Sequence, residues 1–351
     1  MREMPKQTNS ADAPIFVVGA TGTGKSAAAM EVAHRNPGRS AILAMDAMQV
    51  YRGADIGTSK PTAAERAEFP HGGLDLVNVG ERFDVAQYLA HAAEFLREQR
   101  EAGRRVIVVG GTGLYFRALT RGLCEAPQGP DELRAELAAL TTEQLRARLE
   151  KVDPGMVARI DAENPRRLAR AIEVMEATGK SLRTWQEETP EPLVKEFTAL
   201  WIQREKAELE ARIAARVEAM FAAGWVEEVR GLVERYGVEA VKGFAGIGYG
   251  EIAEMLQSNG VAPTSAFPSS CGGQQTWERG RKAMSGSGRS PTLQDELKRN
   301  ILVATRQYAK RQLTWFAREH KLTAVMLNGD NPFSEALRVA GAEHGSMPSL
   351  F

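Results

Sequence analysis

The sequence contains little cysteine, with only Cys124 and Cys271 among 351 residues. Two widely separated thiols exclude a disulfide framework and a cysteine-rich zinc site, and they indicate a reducing compartment, the cytoplasm. The histidines also lack the spacing of metal ligands; they are His34, His71, His91, His320 and His344. No apolar run reaches the roughly 18 residues that a membrane span needs. The first fourteen residues hold no apolar core, so we expect neither a membrane span nor a signal peptide.

The charge is balanced, since 45 basic residues stand against 45 acidic ones, and 43% of the residues are hydrophobic. This composition is typical of a globular protein and excludes a fully disordered or collagenous chain. The length predicts either two compact units or one large unit with insertions. A net charge of zero does not exclude nucleic acid as a partner, because a local basic stripe is sufficient for binding.

Three short apolar runs, at 15–18, 41–45 and 106–109, are rich in β-branched residues and show no alternation with polar residues. Such runs are typical of buried parallel strands. Helical sequence separates them, with Asp84 as a candidate N-cap of one helix. Strands that alternate with helices predict an α/β fold, a parallel sheet flanked by helices. We expect a further strand at 197–202 and helices at 206–235 and 297–320.

The remaining chain suggests a division into regions. Charged helical sequence without a strand candidate predicts an all-helical insertion at 126–194 between two parts of the core, 14–125 and 195–330. The stretch 259–293 is rich in Gly, Ser and Pro and predicts a low-complexity surface loop. We expect a flexible tail at 1–13 and a second tail at 331–351.

Residues 19–26 read GATGTGKS and match the phosphate-binding pattern G-x-x-x-x-G-K-[ST] between a predicted strand and a predicted helix. In this arrangement backbone N–H groups point at a phosphate, Lys25 adds a positive charge, and Ser26 can hold Mg²⁺. A purely structural glycine-rich turn is the alternative. The motif does not identify the ligand: a nucleotide is the default, and any pyrophosphate ester fits the same loop.

Polar residues follow the other two strands of the predicted sheet. Asp46 ends the second apolar run, and Thr112 lies in the glycine-rich stretch after the third. Ligands of open α/β sheets bind beyond the carboxyl ends of the strands, so Asp46 is a candidate catalytic or ligand-binding carboxylate and Thr112 a candidate hydroxyl. A helix N-cap and a structural turn are the respective alternatives.

Six stretches, in this order between about residues 15 and 316, resemble the tRNA dimethylallyltransferase family: GATGTGKS, MDAMQVYRGADIGTSKPT, VVGGTGLYFRAL, NPRRLARAIEVMEATGKS, GIGYGEI and ATRQYAKRQLTWF. A generic P-loop kinase would share only the first. The resemblance implies a P-loop NTPase-like core whose helical insertion binds tRNA. It implies transfer of a dimethylallyl group from dimethylallyl pyrophosphate to N6 of the adenine beside the anticodon (tRNA position 37), in tRNAs that read codons beginning with U, with release of pyrophosphate.

The resemblance also implies roles for individual residues. The catalytic residues would be Asp46, Lys25, Arg216 and Thr112. The pyrophosphate would be held by Gly19, Ala20, Thr21, Gly22, Thr23, Gly24, Lys25, Ser26 and Arg216, with Mg²⁺ at Ser26. The anticodon stem-loop would contact Asp46, Ala47, Met48, Gln49, Thr112, Arg134, Arg166, Arg167, Leu168, Ala169 and Arg170. We expect a monomer.

Several alternatives remain open from the residues alone. Arg216 ends an R-I-x-x-R pattern in which Arg212 is the second choice for the pyrophosphate contact, and a solvated helix face is the structural alternative. An adenylate isopentenyltransferase, an ATP-dependent P-loop kinase and an RNA-binding module with a vestigial P-loop are the rival functions. The basic and aromatic stretch 297–321 favours an RNA acceptor, because a mononucleotide does not require one.

Overall fold

A computed structural model of the protein describes residues 13–258 and 292–329. The expected tails at 1–13 and 331–351 and the expected loop at 259–293 lie outside these ranges, except for Ala13, Thr292 and Leu293. The last two residues belong to a helix start, because the Thr292 side chain accepts a hydrogen bond from the Asp295 N–H and the helix begins at Leu293. The loop prediction therefore extended too far at its carboxyl end.

The larger of two compact units, formed by the residues before Phe116 and from Glu196 onward, contains a six-stranded parallel sheet. Its strands are β1 (Ile15–Gly19), β2 (Ser40–Met45), β3 (His71–Gly72), β4 (Arg105–Gly110), β5 (Thr198–Arg204) and β6 (Thr323–Leu327). They lie in the order β3-β2-β4-β1-β5-β6. The predicted α/β fold with a parallel sheet is confirmed. The edge strands β3 and β6 were not predicted.

The strand register brings the loops of the sheet together at one edge. Every residue of β1 is buried, as expected for a strand that is covered on both faces. Val18 of β1 and Met45 of β2 both pair with Gly110 of β4. Three neighbouring strands therefore have their carboxyl ends side by side, and the loops that follow these strands lie along one edge of the sheet.

Helices complete this unit: α1 (Lys25–His34), α2 (Ala63–Glu68), α3 (Val85–Glu101), the start of α4 (Gly113–Arg121), α10 (Lys206–Ala222), α11 (Trp225–Tyr236), α12 (Val238–Gly243), α13 (Tyr249–Ser258) and α14 (Leu293–Phe316). Asp84 caps α3 as predicted. The single helix expected at 206–235 is wrong, because Gly224 adopts φ 94° and separates α10 from α11. The helix expected at 297–320 begins and ends four residues earlier than predicted.

The second compact unit comprises residues 116–195 and begins ten residues before the expected start of the insertion. It contains the rest of α4 and the helices α5 (Asp131–Ala138), α6 (Thr142–Val152), α7 (Pro154–Val157), α8 (Pro165–Thr178) and α9 (Leu182–Glu187). Leu145 and Leu149 of α6 pack with Leu168 and Ile172 of α8 in its core. These residues form no strand, in agreement with the helical sequence of the region. No helix within 13–258 or 292–329 is long and apolar enough to cross a bilayer.

Candidate active site

The loop after β1 is shaped to bind an anion. Gly22 and Gly24 adopt φ 84° and 93°, values that favour glycine. A Cβ on Gly22 would lie 2.9 Å from Ile213 of α10, so this position also lacks room for a side chain. α1 begins at Lys25 without a side-chain cap. The first N–H groups of a helix have no acceptor within the helix and carry partial positive charge, so they are available to a phosphate.

The predicted loop residues divide into two groups. Ala20 and Thr23 are fully buried, and the Thr23 hydroxyl donates a hydrogen bond to the Ala20 carbonyl at 2.8 Å. Gly19 is equally enclosed, since a Cβ there would lie 2.7 Å from the Ile202 carbonyl oxygen. These three shape the loop. By contrast, Thr21, Lys25 and Ser26 line a cavity of about 330 Å³. Candidate residues from other elements line the same cavity: Asp46, Thr112 and Arg216.

Three cations, Lys25, Arg216 and Arg311, and one carboxylate, Asp46, line this cavity. Burial, and next to it the charge of Arg216, lower the pKa of Lys25 to about 8, although Asp46 opposes the shift. Burial likewise lowers the pKa of Arg216, again against the opposing effect of Asp46. Three cations with one carboxylate leave positive charge unbalanced, and a bound pyrophosphate would neutralise it. This excess of positive charge makes the cavity suited to binding a polyanion.

Of the two arginines that the sequence left open, Arg216 lies in the cavity. Arg212, one turn earlier in α10, instead donates a hydrogen bond from Nε to the Gly22 carbonyl at 3.0 Å. Arg212 is exposed and supports the backbone of the anion-binding loop, whereas Arg216 lines the cavity and therefore does not lie on a wholly solvated helix face.

Asp46 and Thr112 occupy neighbouring strand ends. Asp46 Oδ1 accepts a hydrogen bond from the Met48 N–H at 2.8 Å, and Thr112 Oγ1 accepts one from the Ala47 N–H at 3.1 Å. A turn at 47–50, and not a helix, follows Asp46, so Asp46 is not a helix N-cap. Thr112 fixes the backbone beside Asp46, and both side chains remain part of the cavity wall.

The segment after Asp46 is held in shape by its own side chains. Met48 and Gln49 line the cavity, and Gln49 Nε2 donates to the carbonyls of Thr58 and Ser59, each at 3.1 Å. Lys60, whose side chain is 1% exposed, donates to the Tyr51 carbonyl and to two carboxylates. Polar residues of this stretch therefore stabilise the conformation of the cavity wall, in addition to any contact that they make with a ligand.

Sequence reasoning missed part of the wall. Trp225 of α11 packs so closely on two glycines that a Cβ on Gly57 or on Gly248 would lie 2.2 Å from its indole ring. The Glu228 carboxylate, also in α11, accepts hydrogen bonds from consecutive backbone N–H groups, including Ile56 at 2.6 Å. Gln312 of α14 is a further lining residue. Gln312 lies in the ATRQYAKRQLTWF stretch, which could have identified it as a candidate cavity residue. The stretch alone, however, does not show which of its residues face the cavity.

The residues expected to contact RNA within 116–195 have different environments. Arg166 and Arg167 at the start of α8 are exposed, and Ala169 is half-buried. Arg170 donates hydrogen bonds to the carbonyls of Ala126 and Pro127 at 2.6 and 3.1 Å. Its guanidinium therefore holds its own unit together.

Two further residues of this unit that were expected to contact RNA are Leu168 and Arg134, and neither is a free exposed side chain. Leu168 is 0% exposed in the core, so its side chain packs α8, and its contact with tRNA stays a prediction that only its backbone could fulfil. Arg134 pairs with Asp131 within α5.

A magnesium ion bound with a pyrophosphate needs only one or two oxygen ligands from the protein. The Ser26 side chain is exposed and lines the cavity, and Asp46 lines it too, so the oxygen donors present fit such an ion. The described part of the chain holds no group of three or more His, Cys, Asp or Glu residues that could bind a metal by themselves. Any ion here would share its ligands with the bound anion.

The parallel sheet, the anion-binding loop after β1 and the carboxylate after β2 define a P-loop protein with an NTPase-like fold. Within this class the chain belongs to the IPP transferase family, whose profile matches residues 49–319.

Known relatives support this assignment over almost the whole chain. The protein is 41% identical over 320 residues to a tRNA dimethylallyltransferase of Methylacidiphilum infernorum, with 91% of this chain and 87% of the relative covered. It is 38% identical over 322 residues to one of Geobacter metallireducens, covering 90% and 93%. The crystal structure of a tRNA isopentenylpyrophosphate transferase from Bacillus halodurans superposes with a TM-score of 0.59 at 28% identity, covering 95% and 96%.

Proposed function

We propose that this protein transfers a dimethylallyl group from dimethylallyl pyrophosphate to N6 of the adenine beside the anticodon of tRNA. The observation that carries the proposal is the presence of Lys25, Arg216 and Asp46 in one cavity at the anion-binding loop. A carboxylate facing two cations suits a reaction in which a pyrophosphate leaves and an amine loses a proton. Relatives that are named tRNA dimethylallyltransferases over the same length support this choice.

The donor's pyrophosphate binds to the N–H groups at the start of α1, with Lys25 and Arg216 as counter-charges. The Ser26 hydroxyl would hold a Mg²⁺ ion, which would supply further neutralisation of the leaving group's negative charge. These groups stabilise the charge that develops on the pyrophosphate as it departs. The positive charge left unbalanced in the cavity supports this binding mode.

The acceptor amine reacts beside Asp46. The lone pair of adenine N6 is delocalised into the ring, so the amine is a poor nucleophile and needs a base. The Met48 N–H holds Oδ1 of Asp46, and Oδ2 accepts a hydrogen bond from N6–H. A bond forms between N6 and C1 of the allyl group, the bond from C1 to the pyrophosphate oxygen breaks, and the N6 proton moves to the carboxylate. The products are the N6-dimethylallyl adenine, pyrophosphate and a proton.

An RNA acceptor is favoured over a free nucleotide. The adenine must leave its stack to reach a cavity at a sheet edge, and an unpaired loop permits this at low cost. Arg311 of α14 lines the cavity, and Arg306 and Lys310 on the same helix are exposed. Exposed cations next to the cavity suit a phosphate backbone. We expect a monomer that acts in the cytoplasm.

Incubation of the purified protein with unmodified tRNA, Mg²⁺ and dimethylallyl pyrophosphate tests the proposal. Parallel samples contain AMP in place of tRNA, or ATP in place of the prenyl donor, and nucleosides are then analysed by mass spectrometry. The proposal predicts a dimethylallyl mass gain on adenosine from tRNA alone. A gain on AMP would assign a nucleotide acceptor, and phosphoryl transfer from ATP without prenyl transfer would assign a kinase.

A further inference from the structure

Gln312 joins two of the three loops that meet at the carboxyl edge of the sheet. Its Oε1 accepts a hydrogen bond from the Thr21 N–H at 2.9 Å, and its Nε2 donates one to the Gly111 carbonyl at 2.9 Å. The residue is 6% exposed. Thr21 belongs to the loop after β1 and Gly111 to the loop after β4, at positions 291 and 201 residues away along the chain. A single side chain of α14 therefore bridges the two loops.

The two partners require a side chain that both accepts and donates a hydrogen bond, as the Gln312 amide does. The Thr21 N–H can only donate and the Gly111 carbonyl can only accept, so the bridging group must carry one acceptor and one donor. Glutamate offers no donor and methionine offers neither a donor nor a strong acceptor. The approach is close as well, because a Cβ on Gly111 would lie 2.2 Å from Gln312 Nε2. Glycine at position 111 thus leaves the space that the amide occupies.

The hydrogen-bonded connection continues from Gly111 to the catalytic carboxylate. Thr112 follows Gly111 directly, and its hydroxyl accepts the Ala47 N–H at 3.1 Å. Ala47 follows Asp46, whose Oδ1 accepts the Met48 N–H at 2.8 Å. A continuous path therefore runs from the anion-binding loop through Gln312 and Thr112 to Asp46. Its first residue lies beside the proposed donor site and its last residue is the proposed base.

We propose that Gln312 is a positioning residue that sets the separation between the bound pyrophosphate and Asp46. The inference rests on the proposed function, because the two substrates meet across this separation. In-line attack by N6 on the allyl carbon requires the reacting atoms to approach closely and in alignment, and a displacement of about 1 Å can cost on the order of a hundredfold in rate. Gln312 acts through the loops it joins and not through direct contact with a reacting atom.

The central variant is Gln312→Met, which keeps the length of the side chain and removes both hydrogen bonds. We expect its single-turnover rate of prenyl transfer to fall at least about tenfold, while the affinities for tRNA and inorganic pyrophosphate change less than about threefold. Gln312→Glu keeps an acceptor for Thr21 but loses the donor to Gly111, and we expect a loss of the same order. The matched control is Gln99→Met, because Gln99 of α3 is equally buried, accepts a hydrogen bond from Arg104 and lies outside the cavity lining. Its rate should stay within about twofold of the parent.

A double-mutant cycle separates positioning from general weakening of the fold. If Gln312 and Thr112 act along one path, the combination of Gln312→Met with Thr112→Val should lose much less activity than the product of the two single losses. Combination of Gln99→Met with Thr112→Val should give the product. Multiplicative losses for the first pair would overturn the proposal.

The remaining outcomes are equally decisive. A parent protein without prenyl transfer to tRNA would overturn the proposed function, whatever the variants do. An active parent whose Gln312→Met and Gln312→Glu variants retain rates within about twofold would overturn the positioning role and leave the function intact. If circular dichroism shows that neither variant folds, Gln312 is a packing residue and the positioning role is wrong.

Discussion

Replacement of Lys60 by methionine should destabilise the protein by about 2–3 kcal/mol. The ammonium group is buried, with the side chain 1% exposed, and it donates to Asp75 Oδ1 at 2.6 Å and to the Tyr51 carbonyl. An unsatisfied buried carbonyl costs about 1–3 kcal/mol. Asp75 is about one-third exposed and keeps its pair with Arg66, so its loss of one partner adds only about 1 kcal/mol. The packing of an apolar side chain in place of a buried charge offsets part of this sum.

The assay is urea unfolding followed by circular dichroism, with Lys298→Met as the control. Lys298 also forms an ion pair, with Glu218 at 2.6 Å, but the two side chains are 25% and 64% exposed. Such a surface pair contributes about 0–1 kcal/mol. A loss for Lys60→Met that is no larger than that for Lys298→Met would show that the buried Lys60 does not anchor the loop after Asp46.

Two further predictions follow from the site. In the absence of divalent cations, the affinity for pyrophosphate should fall as the pH rises above about 8, because pyrophosphate binds the protonated form of Lys25 and so raises the pKa of Lys25. Calorimetry over a pH series measures this affinity. In Lys25→Met, the pH dependence should reflect only the ionisation of pyrophosphate itself. Glu228→Gln should lower the free energy of unfolding by about 2 kcal/mol, because the neutral amide can no longer accept both the Ile56 N–H and the Tyr249 hydroxyl through separate oxygens. Urea titration should find Glu227→Gln, at an exposed pair, within about 0.5 kcal/mol of the parent.

The central strands could be predicted from the sequence because parallel strands covered on both faces are continuous apolar runs. β1, β2 and β4 meet this condition, and their predicted positions agree with the structure to within one residue. The edge strands do not meet it: β3 has two residues, and β6 has only two buried residues among five. Their pairing depends on neighbours that the sequence does not reveal. The break at Gly224 was missed because a single glycine in helical sequence signals no particular φ.

The sequence allowed prediction of those cavity residues whose place relative to a predicted strand determines where they lie in the fold. Asp46 follows β2 directly, Thr112 lies in the loop after β4, and Lys25 ends the loop after β1; parallel strands bring such residues to one edge. Gln312 and Glu228 could not be assigned in this way, because each acts on a loop that lies more than a hundred residues away in the chain. Their side chains are ordinary in the sequence, and only the tertiary approach gives them a role.

The single-turnover rate of Asp46→Asn on tRNA, measured together with its affinity for pyrophosphate, tests the role of Asp46 as the base. The variant keeps the shape of the side chain and removes the base, so the rate should fall at least about a hundredfold. Pyrophosphate should bind at least as well as to the parent, since Lys25 and Arg216 lose an opposing charge. Asp84→Asn, which retains a capping oxygen on α3, should react at the parental rate. A parental rate in Asp46→Asn, or a joint loss of rate and pyrophosphate binding, would contradict the assignment of Asp46 as the base.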